Sequence, residues 1–159
     1  MLPAMRRAGQ ALSREDCRRL LSSATSGVLS LSGEEGYPYG VPMSFVYDNG
    51  AIYFHSATRG HKLTAMERNP KVSFCVIGKD SVVPEELTTY YKSVIVFGTL
   101  QKVTEPVEKR RAIEALAKRY APMVPQERRT DEAMRSWDGF VILRLTITQM
   151  TGKQAKELV

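Results

Sequence analysis

The sequence predicts a mainly β chain, an antiparallel barrel with peripheral helices. Short apolar stretches bounded by turn residues recur from Val28 to Val103 and again from Phe140. They have strand length and mostly alternate apolar with polar. Asp48-Asn49-Gly50 lies between two of them. Asn-Gly tolerates the positive φ angles of a type I′ turn, so its flanks should pair antiparallel. Helical periodicity is confined to a few segments, with no strict strand–helix alternation that would argue for a parallel sheet.

The elements follow in order. Residues 1–12 read as a loose arm. Ser13 is an expected N-cap, with Glu15 and Asp16 in the first turn of a helix that turns Cys17, Leu20 and Leu21 to one side. Val28–Ser32 is a short strand and Tyr39–Tyr47 a second. Pro42 lies inside the second and cannot donate to a ladder, so it marks an edge, a bulge or a place where something other than a strand lies alongside. Pairing of Tyr39–Tyr47 with Ala51–Ser56 should bring the Pro42 region beside His55. Lys62–Arg68 is a helix stopped by Asn69-Pro70, and Lys71–Ile77 is a strand. Gly78 to Tyr91 reads as a long connection, a length often functional. Ser93–Val103 carries Val94–Phe97, apolar on both faces, so it is expected to be buried on both sides or against a second subunit. Thr104 should cap a helix with the stripe Ile113, Leu116, Ala117 and Tyr120. A short helix over Glu127–Met134 and a last strand over Phe140–Thr148 complete the domain, and the tail from Thr151 is polar.

Composition narrows the function. With 159 residues, 43% hydrophobic and 25% charged, the chain has the make-up of one ordinary globular domain with its own core. No apolar run nears the roughly 20 residues that span a bilayer. The two arginines of the opening M-L-P-A-M-R-R have no apolar core after them, so no secretory signal is expected. Cys17 and Cys75 have no metal-type spacing, and reduced thiols suit a cytoplasmic protein. The net charge of +6 suits nucleic acid or a phosphorylated small molecule, but it forms neither a basic tail nor a stripe, so no nucleic acid is expected. His55 and His61 are the only histidines and make a poor zinc set with two distant cysteines. Walker, Rossmann and nucleophile-elbow patterns are absent, and the carboxylates are scattered.

The stretch Tyr53–Pro70 carries the most chemistry. It reads as a strand, a small polar loop Ser56–Gly60 and a helix start. A helix start has unpaired N–H groups and a partial positive charge. Arg59, His61 and Lys62 cluster there, which suits a phosphate and equally suits an ordinary turn with solvated cations. Tyr91 and Ser93 lie two apart, on one side of a strand, where they can offer hydrogen bonds to a flat polar ligand. Trp137 reads first as a core or interface filler.

Five motifs stand in order: G-Y-P-Y-G-V-P at Gly36–Pro42, Y-F-H-S-A at Tyr53–Ala57, G-H-K at Gly60–Lys62, N-P-K-V-S-F at Asn69–Phe74 and Y-Y-K-S-V-I-V-F-G at Tyr90–Gly98. Together they resemble the flavin-binding split-barrel proteins related to pyridoxamine 5′-phosphate oxidase, in the branch named for 5-nitroimidazole antibiotic resistance. The resemblance spans about residues 13–150. It implies a six-stranded antiparallel split β-barrel and a homodimer with an FMN in each of two clefts between subunits. It places Val41, Pro42, Met43 and Ser44 along the flavin ring. It places His55, Ser56, Ala57, Gly60, His61 and Lys62 on the ribityl chain and phosphate. Ser93, with Tyr91 and Lys92, matches the stretch that reaches the flavin from the facing side. The oxidase's C-terminal arginine motif is absent from the tail M-T-G-K-Q-A-K-E-L-V.

The expectation is therefore an FMN-dependent oxidoreductase acting on a small substrate such as a nitroaromatic, with NAD(P)H as electron donor and no membrane partner. His61 is the side chain offered for acid–base work, by its near-neutral intrinsic pKa. The rivals are haem or the deazaflavin F420 on the same barrel, and a flavin sensor without turnover.

Overall fold

Ser13 starts the first helix as its spacing predicts. Its hydroxyl accepts from the Asp16 N–H (3.0 Å) and opens α1, Arg14–Ser23. The structure, a computed structural model, describes residues 1–159. Seven strands follow: β1 Gly27–Ser32, β2 Pro38–Met43, β3 Val46–Asp48, β4 Ala51–Ala57, β5 Lys71–Val83, β6 Thr88–Lys102 and β7 Phe140–Gln154. α2, His61–Arg68, joins β4 to β5, while α3, Pro106–Tyr120, and α4, Gln126–Arg135, lie between β6 and β7.

All strands belong to one antiparallel sheet in the order β2-β1-β5-β6-β7-β4-β3. The mainly β expectation holds, but the count is seven rather than six. The expected strand Tyr39–Tyr47 breaks at Ser44-Phe45 into β2 and β3. The expected pairing changes with it. Only Val46–Asp48 pairs across the Asn49-Gly50 turn to β4, whereas β2 turns away to β1 and sets Pro42 opposite Val28. The sheet is open: β2 and β3 are its two edges, and the chain passes from one to the other through two residues. Such a continuous step between the edges requires the sheet to curl back on itself.

Two other expectations are corrected. Gly78–Tyr91 is not a loop. β5 and β6 run on as a long hairpin to Val83 and Thr88, with a register shift between Ile77 and Lys79. The tail is also strand, since β7 pairs with β6 as far as Gln154 opposite Lys92. Polar residues conceal a strand whose outer face is exposed, because alternation is weak there. The helix after Thr104 takes Glu105 as its N-cap, with Pro106 in the first turn.

The concave face holds the main core, with Leu29, Phe74 and Val96 in one paired row and fully buried. α1 packs Cys17, Leu20 and Leu21 into that core. A second core lies where α3 covers the convex face of β3, β4 and the start of β7, around Tyr53, Ala112, Leu116 and Ile142. Glu108 of α3 reinforces it, accepting from Arg144 at 2.7 and 2.9 Å and from the Tyr53 hydroxyl at 2.9 Å. Burial works to raise the Glu108 pKa, but those hydrogen bonds and the charges of Arg144 and Arg111 outweigh it and hold the carboxyl below its ordinary range. The N-terminal arm ends pinned to β7, with the Leu12 N–H on the Gly152 carbonyl at 2.9 Å.

The rest of the convex face has no helix over it. Paired residues of an antiparallel ladder share a face. Pro42, Val28, Cys75, Ile95 and Thr151 therefore form one outward row. Ile95 is 39% exposed and Ile77, beside Ser93, is 64% exposed. The expected two-sided burial of Val94–Phe97 is thus met on one side only within the chain.

Candidate functional site

Breaking the strand at Ser44-Phe45 creates the site. Beyond Tyr53, β4 has β7 on one side and no strand on the other, because β3 begins only at Val46. β2 likewise has β1 on one side only. Continuing the Val46–Tyr53 register would set Ser44 against His55 and Pro42 against Ala57, but no ladder forms there. Two unpaired backbone edges thus start together at Ser44-Phe45 and diverge, leaving a slot. The Tyr39 and His61 rings, 6.4 Å apart and edge-on, approach one another at its other end. Val41 and Met43 turn into the main core, while Pro42 and Ser44 are exposed. What β2 offers the slot is therefore mostly backbone, and an edge is where Pro42 costs no ladder bond.

The slot runs to the start of α2. Gly60, at φ 145°, is the N-cap and supplies no side chain, so no side-chain hydrogen bond closes the first turn. The His61 and Lys62 N–H groups are available to an acceptor from outside the helix, whereas that of Leu63 already donates to the Gly60 carbonyl at 3.1 Å. Arg59 and His61 are exposed and Lys62 is half-buried, and none of them is in an ion pair. Ser56 is the one buried polar side chain, and its hydroxyl donates to the Ala57 carbonyl at 3.0 Å. His55 points to the convex side, where its ring lies on Phe140 with centroids 5.0 Å apart. Burial of that covered ring face lowers the His55 pKa, and the nearby Lys109 charge lowers it further.

Lys109 escaped the sequence reading. Its ammonium donates to the Trp137 carbonyl at 2.6 Å and the Phe140 carbonyl at 3.0 Å, and sits 4.3 Å from both ring centroids. Burial lowers its pKa, with Lys102 adding to the effect and Asp138 opposing it. Tyr120 escaped too. It reads as one of an apolar stripe, yet its hydroxyl accepts from the Phe45 N–H at 2.8 Å. No spacing in the sequence links α3 to the β2–β3 joint.

The fold brings Val41–Ser44, His55–Ala57 and Gly60–Lys62 to one slot. It does not bring Tyr91 and Ser93 there. Ser93 pairs with Ile77 and Lys153, two residues beyond Ile95 in the outward row. Ile95 is itself three strand spacings from Pro42, roughly 14 Å at about 4.8 Å each. Ser93 and Pro42 share the uncovered convex face without sharing a ligand-sized space. A separate cleft of about 430 Å³, lined by Ser30, Ser73, Phe97, Thr99 and Leu2 among others, shares no residue with the slot.

Residues 13–154 match the pyridoxamine 5′-phosphate oxidase family. The chain belongs to that family, with an open seven-stranded form of its split barrel. Several solved structures share the fold. One is a candidate 5-nitroimidazole antibiotic resistance protein from Bacteroides thetaiotaomicron, 23% identical, with a TM-score of 0.75 over 91% of this chain and 86% of that one. A conserved hypothetical protein from Mycobacterium tuberculosis, 20% identical, reaches a TM-score of 0.81 over 98% and 92%. An FAD and haem binding protein from Mycobacterium smegmatis, 22% identical, reaches 0.76 over 92% and 74%. No curated protein matches the chain. No helix is long and apolar enough to cross a membrane.

Proposed function

We propose that the chain is an FMN-dependent oxidoreductase that works as a homodimer. The observation that carries the reading is the slot between two unpaired strand edges, ending on a helix start without a side-chain cap and with three unpaired basic residues. A ring system fits where a strand is missing, since the edges of β2 and β4 offer backbone donors and acceptors. Val41, Pro42, Met43 and Ser44 would lie along the flavin ring. His55, Ser56 and Ala57 would follow the ribityl chain. Gly60, His61 and Lys62, with Arg59, would hold the phosphate by backbone N–H groups and charge. Bound flavin supplies exchange of an electron pair between a donor such as NAD(P)H and a small acceptor such as a nitroaromatic. His61 serves the phosphate first by its place at the helix start, and proton transfer is its second offered role.

The uncovered convex face supports the dimer. A second copy packed there would cover Val28, Ile77 and Ile95 and would carry its Tyr91 and Ser93 toward the first copy's slot. The ligand released from native protein by heat and identified by mass spectrometry tests the proposal. FMN is the expected result, because a single helix-start phosphate site with no glycine-rich dinucleotide turn suits one phosphate. FAD, F420, haem or no ligand would overturn it.

A further inference from the structure

The break between β2 and β3 leaves the Phe45 N–H and C=O outside any ladder in a residue that is 1% exposed. Unpaired buried backbone groups are costly, so something must satisfy them. The Tyr120 hydroxyl satisfies the N–H and lies within reach of the carbonyl. It accepts from the Phe45 N–H at 2.8 Å and lies 3.0 Å from the Phe45 carbonyl, close also to the Thr25 carbonyl. With one proton it donates to one of those carbonyls at a time. Arg119, the preceding residue, donates to the Ser23 and Ala24 carbonyls at the end of α1. The last turn of α3 thus grips two places, but only Tyr120 touches the joint from which the slot opens.

We propose that Tyr120 is a positioning residue that holds the Ser44-Phe45 joint open and so sets the β2 wall of the flavin slot. A continuous strand through Ser44 and Phe45 would draw β2 toward β4 and close the slot. The two-residue turn makes Asp48–Ala51 and Val46–Tyr53 hydrogen-bonded pairs, so Phe45 turns its N–H and C=O away from β4 and toward Thr25. The hydroxyl that binds Phe45 there ties the joint to the β1 side and keeps the chain before Val46 from following β4. The inference rests on the flavin reading only for its effect on binding, since the grip on Phe45 is a property of the chain itself.

The test compares Tyr120→Phe with Arg119→Ala in the full-length protein. Arg119→Ala loses a neighbouring staple without touching Phe45, so it controls for general loosening of α3. In protein stripped of ligand, amide hydrogen exchange should accelerate about tenfold or more at Phe45 and Val46 in Tyr120→Phe. Exchange there should be unchanged in Arg119→Ala. With added FMN, Tyr120→Phe should raise the Kd about tenfold, the scale of one lost hydrogen bond. It should also alter the visible circular dichroism of the flavin at saturation, a sign of changed pose. Arg119→Ala should leave both within about twofold of wild type. Unchanged exchange at Phe45 in Tyr120→Phe overturns the inference, as does an equal change in Arg119→Ala. A wild type that takes up no FMN sinks the flavin reading instead, and the exchange arm still decides the role of Tyr120.

Discussion

Lys62 stands in the first turn of α2, where a cation opposes the helix dipole, and no acidic partner offsets it. An anion held there would explain the residue. Lys62→Ala should weaken FMN binding by one charge-assisted contact, about 1.5–3 kcal/mol. That is roughly a tenfold to hundredfold rise in Kd. Denaturant melts of the ligand-free forms should agree within about 0.5 kcal/mol. An unchanged Kd would shift the phosphate to Arg59 and His61. His55 makes a second residue-scale case. Its folded pKa lies below the ordinary value of about 6.5. Between the two values the unfolded chain binds more protons, so this residue's contribution to stability is complete above about pH 6.5 and is lost as pH falls toward the folded pKa. Lys109→Met removes one cause of the depression. The His55 titration followed by NMR should then move upward, and a downward move would show that Lys109 does not act on it as the geometry implies.

At the scale of elements, the sheet depends on close approach where strands curl. β6 and β7 shift register between Phe97 and Gly98. A Cβ on Gly98 would run into the Thr146 carbonyl and the Leu145 side chain, and backbone cannot give way as a flexible side chain can. Gly98→Ala should therefore destabilise the protein by at least about 2 kcal/mol, read as a lower urea midpoint. A midpoint equal to wild type would mean that the bulge relaxes freely. The Asn49-Gly50 turn shows the opposite case, an element set by local chemistry alone. Both residues take positive φ, 49° and 78°, as the type I′ pattern requires. Helix ends divide in the same way. Ser13 caps α1 with its own hydroxyl, whereas the end of α1 is held by Arg119 from α3.

For the whole molecule, one convex region is covered by α3 and the other is not. The uncovered part carries Val28, Ile77 and Ile95 beside Ser93, and a second copy is the proposed cover. Wild type should sediment as a dimer at micromolar concentration. Ile95→Glu should give a folded monomer with much weaker FMN binding, because a charge in a covered apolar face is strongly unfavourable. A monomeric wild type that keeps its flavin would show that the slot is complete within one chain.

The sequence by itself determined those features whose cause is local. They are the Ser13 cap, the Asn49-Gly50 hairpin, the stop of α2 at Asn69-Pro70 and the basic helix start at Arg59–Lys62. Each depends on a few neighbouring residues, so spacing and residue type suffice. Alternation marked Tyr39–Tyr47 as strand but could not show that it would change partners halfway. Which strand lies alongside depends on ladder bonds between residues far apart in sequence. The polar half of β7 and the β5–β6 hairpin stayed hidden because their apolar pattern is weak, and a long ladder holds them instead. Tyr120 and Lys109 read as ordinary helix residues, and only the packing of α3 across the sheet brought them to Phe45 and Phe140. Tertiary structure alone decided the slot, since an open edge exists only once every other strand has found its partner.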